Sequence, residues 1–264
     1  MKISDTFSIE RFGLLIKQHL IHNYRMLIVS IVGFSGGLFM LLLVIQAVNQ
    51  FDTWGQDAFS GTFITIFIGT ALLYAGTSFP GLRTREKSYS YLLNPASVFE
   101  KFLFELISRI LLFIILIPLL YWVIFNVEGI FLHAIYPKFQ FTSQSFDLPF
   151  LELHVPEDSS LTYWAIAMPL AFGFMIFTLP FTGASIFMKY PLPKTLFVVA
   201  IVFFFHVFLV FFFLEILDFG KGTGNERVLG MDAEGAIKFF TTYAVIAHVV
   251  LLTAAYFKLK EREA

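Results

Sequence analysis

Two histidines are the residues of this chain whose type and position could do chemistry. His206 and His248 fall near the middle of two long apolar stretches, at about 195–217 and 237–257. The stretches run in opposite directions. His206 is eleven residues from the near end of its stretch and His248 nine from the far end of the other, so the two rings could sit level and face each other. Ionisable groups at such depth are candidates for proton relay or substrate contact. The competing reading is a pair of neutral imidazoles bonded to a neighbouring Ser, Thr or backbone carbonyl. Gly220-Lys-Gly-Thr223 superficially resembles a phosphate-binding loop. The first glycine of the G-x-x-x-x-G-K-[S/T] spacing is missing and Gly222 follows Lys221, so it reads as a turn. Cysteine is absent, which removes disulfides and thiolate metal sites, and no metal or cofactor is expected. The apolar stretches hold no carboxylate–histidine cluster or Ser-His pair at usable spacing, which argues against an intramembrane protease or lipid-modifying enzyme.

The elements that must position these groups are six apolar stretches, at about 27–48, 61–80, 104–126, 162–187, 195–217 and 237–257. About 20 residues at roughly 1.5 Å each match the roughly 30 Å hydrocarbon layer, so each is long enough to span it as a helix. The chain is 58% hydrophobic with 36 Phe in 264 residues, more apolar side chain than a water-soluble domain of this size can hide. The expected fold is therefore an all-α integral membrane protein with six transmembrane helices, forming one domain over 1–264. No cleavable signal is expected before the first stretch.

Charge sets the orientation. Lys2, Arg11, Lys17 and Arg25 precede the first stretch, while Arg83, Arg85, Lys87, Lys101 and Arg109 follow the second. Lys189 and Lys194 follow the fourth, and Lys258, Lys260 and Arg262 follow the sixth. The other three gaps hold only Lys138, Lys221, Arg227 and Lys238. The positive-inside rule then puts both termini in the cytoplasm of a multi-pass protein of the cell membrane. Net charge, −1, says little about partners, and no nucleic-acid partner is expected.

Before the first span, Ile9, Phe12, Ile16, Leu20 and Tyr24 recur at helical steps opposite Arg11, Gln18, His22 and Arg25. This predicts an amphipathic interfacial helix over 8–25, lying in the bilayer surface with Ser8 capping its start. A plain basic flank is the alternative. The gap at 127–161, with Glu128, Asp147, Glu152, Glu157 and Asp158, reads as a modest external loop between helices three and four. Partial alternation over 139–148 suggests a short hairpin there, against a loosely ordered connector. Pro118, Pro169 and Pro180 predict kinks, and Gly33, Gly36, Gly37, Gly69 and Gly76 permit close helix approach. The many phenylalanines, Phe203 to Phe205 and Phe211 to Phe213 among them, are expected against lipid or in the bundle core.

The segment between the second and third spans carries the most specific pattern. Pro80-Gly81 ends the span, Arg83 to Leu93 can form a short charged helix, and Asn94-Pro95 stops it before Ser97 starts the next. Its charged stretch, Arg83, Arg85, Glu86 and Lys87, leads through Tyr91 to two apolar residues, Leu92 and Leu93. Pro95, Ser97 and Lys101 follow. The arrangement resembles the first cytoplasmic loop of type-2 ABC transporter permeases, and the amphipathic start, six spans, internal termini and an enlarged external gap are also similar. In that family the enlarged gap is usually the last; here it is the second.

The resemblance implies a coupling helix over 82–100 that engages a separate cytoplasmic ABC ATPase. It also implies pairing with a second permease copy, as homo- or heterodimer, and near-seam positions for the span-one and span-two glycines, although packing within one subunit would explain those equally. A basic loop that only sets topology is the competing reading of 82–100. The chain has no nucleotide site of its own, so the expected function is the transmembrane subunit of an ATP-driven exporter rather than an enzyme. The alternative is a non-transporting membrane scaffold or assembly protein. The scarcity of mid-membrane charge favours an external energy source over an ion gradient.

Overall fold

Residues 9 to 48 contain no proline and form one unbroken helix, α1 (Ile9–Val48). At about 1.5 Å per residue it is about 60 Å long, twice the hydrocarbon layer. The segment expected as a separate surface helix thus continues directly into the first span, because nothing around residues 24–27 interrupts helical hydrogen bonding. The computed structural model describes residues 7–49, 55–84, 88, 91, 95–145, 162–187, 189–211 and 233–263. Among these, α1 is followed by α2 (Gln56–Gly76), a 3-10 turn (Pro80–Leu82), α3 (Val98–Leu106), a π-helical turn (Ile107–Leu111), and α4 (Leu112–Ile135). After them come α5 (Thr162–Ile186), α6 (Pro191–Phe211) and α7 (Ala233–Glu263).

Five helical runs, Ile9–Val48, Gln56–Gly76, Val98–Ile135, Ile166–Ile186 and Ile237–Arg262, are long and apolar enough to cross a membrane. The chain is accordingly an all-α, multi-pass membrane protein. α6 is apolar too, and the last part of its expected span, 212–217, lies outside the described residues. The prolines expected to kink helices sit inside α4 (Pro118) and α5 (Pro169, Pro180), and both helices continue through them.

The described chain divides into two compact units. The first comprises residues up to Thr70 and from Pro95 to Glu152; the second comprises Ala71–Asn94 and Leu153 onwards. In the first, α1 runs in the same direction as α3 and α4. Ring contacts pair Phe7 with Phe99 (6.0 Å), His19 with Phe104 (4.9 Å) and Phe39 with Phe131 (5.6 Å) in order along both. Leu15, Leu38 and Leu42 are buried along α1, whereas Ile9, Leu20 and Tyr24 of the predicted apolar stripe are exposed.

The core of this unit joins Leu38 and Leu42 to Phe59, Phe63, Tyr121, Phe125, Leu132 and Phe139. Its rings meet edge to face and tilted, Phe59 on Phe125 at 5.0 Å and Phe63 on Tyr121 at 5.0 Å, the arrangements that ring quadrupoles favour. The buried Tyr121 hydroxyl donates to the Phe59 carbonyl at 3.1 Å and lies against the Thr62 hydroxyl.

The loop expected from 127 begins later, because α4 continues to Ile135. Glu128, which looks like a loop residue, lies on the same helical face as Phe125 and Leu132 and is buried with them. Residues 136–145 then fold back along α4. Asn126 Oδ1 accepts from Gln144 N and from Ser143 Oγ, both at 2.9 Å, Trp122 Nε1 donates to Gln144 O at 2.8 Å, and His133 Nδ1 pairs with Phe139 O at 2.8 Å. A Cβ on Gly129 would fall 2.1 Å from the Phe141 ring, so glycine is what lets this segment lie flat. Phe141 holds a single β-bridge position, and residues 146–161, into which the expected hairpin continues, lie outside the described residues.

In the second unit α5 and α7 run the same way, joined by Thr182 Oγ1 to Leu251 O (3.1 Å) and Arg262 Nη2 to Ile186 O (3.2 Å). The chain turns between α5 and α6 through Tyr190 in a left-handed conformation (φ 53°), and Pro191 opens α6 at the position where a missing N–H costs nothing. α6 comes so close to α5 that a Cβ on Gly183 would lie 1.7 Å from Thr195 Oγ1 and 2.5 Å from its Cγ2. Gly69 meets nothing within 4 Å. Gly183→Ala should therefore destabilise the protein by about 1–3 kcal/mol through overpacking. Gly69→Ala should be neutral or stabilising by up to about 1 kcal/mol through helix propensity. Thermal unfolding of the two purified variants in one detergent checks this, and equal midpoints would contradict it.

Candidate functional site

The link between α2 and α3 is tied down at each end by side chains. At its start, Phe79 adopts a left-handed conformation (φ 55°) that stops α2, and its ring packs on Phe181 at 5.0 Å. Arg83 reaches back, Nη2 to Gly76 O at 3.1 Å, and so satisfies a carbonyl that the end of a helix leaves open. The Ser88 N–H donates to Thr84 O at 2.9 Å. The Tyr91 ring lies over Gly81, within 2.7 Å of where a Cβ would be. Arg85, Glu86, Lys87, Leu92 and Leu93 lie outside the described residues.

At the other end, Ser97 opens α3 as the sequence predicts, in an extended conformation. Its hydroxyl accepts from Glu100 N at 3.2 Å, while Glu100 Oε2 accepts from Ser97 N at 2.8 Å. This reciprocal pair satisfies two orphan donors of the helix start. Glu100 does more than cap. Its other oxygen accepts from Ser8 N at 2.7 Å and from Arg11 Nη2 at 3.1 Å and Nε at 3.3 Å, and the side chain is fully buried. Ser8 stands at the predicted N-cap of α1, but its side chain makes no cap bond; its backbone N–H goes to Glu100 instead. Pro95 begins this stretch, and Lys101, the lysine that closes the motif, is 2% exposed.

Of the two histidines, His248 is held at both ring nitrogens. Nε2 lies 2.8 Å from Ala171 O and Nδ1 3.0 Å from Thr178 Oγ1, with the ring edge-on to Phe174 at 5.4 Å. A carbonyl can only accept, so Nε2 carries the proton. That arrangement cross-links α5 to α7. His206 lies on α6, and its side chain lies outside what is described.

Two further polar residues gave no sequence signal. Gln46 continues the buried α1 face of Leu38 and Leu42, and Glu128 sits between Phe125 and Leu132. Both are fully buried, and neither side chain has a hydrogen-bond partner among the described residues. Among the described residues no group of three metal-ligating side chains converges.

The fold and these contacts define a class, an all-α multi-pass membrane protein whose inter-span link is anchored by Arg83 at one end and by the Ser97–Glu100 box at the other. Compared with family models, curated proteins and solved structures, the chain matches none.

Glu100→Ala would take away the acceptor that serves two backbone donors and Arg11. Arg11 is partly exposed and can recover water, so the expected loss is about 2–3 kcal/mol, with Arg11→Ala costing less than half as much. Denaturant unfolding of both single variants and the double variant, read as a cycle, checks this; additive effects would show that the pair is not coupled.

Proposed function

We propose that this chain is the membrane-spanning subunit of an ABC-type exporter, driven by ATP hydrolysis on a separate cytoplasmic ATPase. It crosses the cell membrane six times with both termini in the cytoplasm, α6 and the residues after it supplying the span beyond the five long apolar runs. Residues 82–100 form the coupling segment, carried by Arg83, Arg85, Glu86, Lys87, Tyr91, Leu92, Leu93, Pro95 and Lys101.

The observation that carries this reading is the anchoring of that segment. A coupling element must pass a push to the helices behind it, and a chain that is free at its ends cannot. Arg83 binds the end of α2, and the Ser97–Glu100 box, with Arg11, binds the start of α3 to α1. Leu92 and Leu93 supply the apolar anchors that fill a groove in the motor, and the charges fix register. Lys101, being buried, supports the base of the segment rather than its tip.

Pairing with a second copy draws support from α1. Gly33, Gly36 and Gly37 are exposed, and a Cβ on any of them would meet nothing within 4 Å. Gly33 and Gly37 have the four-residue spacing that lets two membrane helices approach closely. Gly76, by contrast, is used within the chain, against Leu192.

Purification from native membranes tests the proposal. The expected outcome is a copurifying soluble ATPase that is lost when Leu92 and Leu93 both become Asp, while the variant still inserts in the membrane and keeps its unfolding midpoint. A wild-type preparation with no bound ATPase, and no ATP-dependent movement of cargo in vesicles, would favour a scaffold and end the transporter reading.

A further inference from the structure

We propose that the turn between α5 and α6 is a binding site for an anionic phospholipid, with the phosphate on Lys194 and Lys189 and an acyl chain in the groove beside them. A groove of about 320 Å³ lies here, lined by Phe187, Pro193, Phe197 and Val198, with Lys194 as its one charged wall. Lys194 Nζ stands 5.9 Å from the centre of the Phe187 ring, a cation–π contact that holds the ammonium at the rim and leaves its N–H groups free to donate. Lys189 is exposed at the tip of the turn, two residues beyond Phe187. No carboxylate among the described residues pairs with either lysine.

The chemistry of the groove selects the occupant. Its walls are hydrocarbon, and the apolar surface continues along α6 through Ile201 and Phe204, both more than half exposed, which gives an acyl chain a track to follow. Two such cations at the end of a membrane helix sit at headgroup depth, where they attract anionic lipid. The helix start contributes little to anion binding. Pro191 and Pro193 remove two of the first backbone donors of α6, and the Lys194 N–H is already given to Tyr190 O at 3.3 Å, so the side chains must carry the selectivity. A zwitterionic lipid would fill the same groove but bring a positive group alongside the phosphate.

The test uses the full chain in nanodiscs or detergent, titrated with phosphatidylglycerol or with phosphatidylcholine of the same acyl chains and read by native mass spectrometry. The wild type should prefer phosphatidylglycerol. Lys189→Gln with Lys194→Gln should weaken that binding roughly 30-fold, at about a factor of five for each neutralised lysine, and leave phosphatidylcholine unchanged. The pair Lys189→Arg and Lys194→Arg should keep the preference, which separates lost charge from lost folding. Equal binding of the two lipids by the wild type, or a preference that survives neutralisation, would overturn the proposal. So would inorganic phosphate competing fully for the site, since the groove would then add nothing.

Discussion

The constraint on which this structure depends is that hydrocarbon offers no partner to a backbone amide. Helices satisfy it along their length, and the remaining polar groups are fitted to it one at a time. Thr62, Thr70, Thr195 and Thr241 turn their hydroxyls back to carbonyls four residues earlier, at 2.6–2.8 Å, so a polar side chain needs nothing from outside its helix. Tyr121, Thr182 and His248 reach across to a neighbouring helix instead, and each cross-helix bond also fixes a register. Helix ends are where the constraint is hardest to meet. Here Arg83 closes one end and Glu100 opens another.

The hydropathy pattern made the broad architecture legible, since a run that avoids charge for a membrane thickness has few other uses. The fourth stretch, expected at 162–187, appears as Thr162–Ile186 because turn-forming residues, Lys189 to Pro193, follow it directly. What such a pattern does not register is continuity. α1 passes from polar to apolar composition without a break, and the α3–α4 run does so through one π-helical turn, because amphipathic and hydrophobic sequence are equally good helix as long as no Pro or Gly stands at the join. Glu128 misled for the same reason: an acidic residue reads as loop, yet its position seven after Tyr121 and four before Leu132 puts it on the packed face.

The site was less legible than the fold. The S-x-x-E spacing of Ser97 and Glu100 was present in the sequence as a helix-start signal. Nothing local indicates that Arg11 and Ser8, about ninety residues away, share the same carboxylate. Long-range pairing depends on how helices pack, and packing is set by shape rather than by any short motif. Lys101 gave no local sign of its burial either, because a lysine next to a basic loop looks like surface until the helix it belongs to is seen to bury it.

Glu100 and Glu128 lie on the same helical run and are equally buried, yet they bear opposite relations to their surroundings. Glu100 occupies the first turn, where the helix dipole favours an anion, and receives two backbone donors and the Arg11 guanidinium. Removing it takes the shared acceptor from all of them. Glu128 lies well inside the run, beyond the reach of either end of the dipole, among Phe125, Leu132 and neighbours that offer no donor. A carboxyl there opposes folding, so the aromatic core around it must supply the surplus that keeps it buried. Sequence alone gives the two residues the same letter and the same helical surroundings; only the count of donors within reach distinguishes an anchor from a cost.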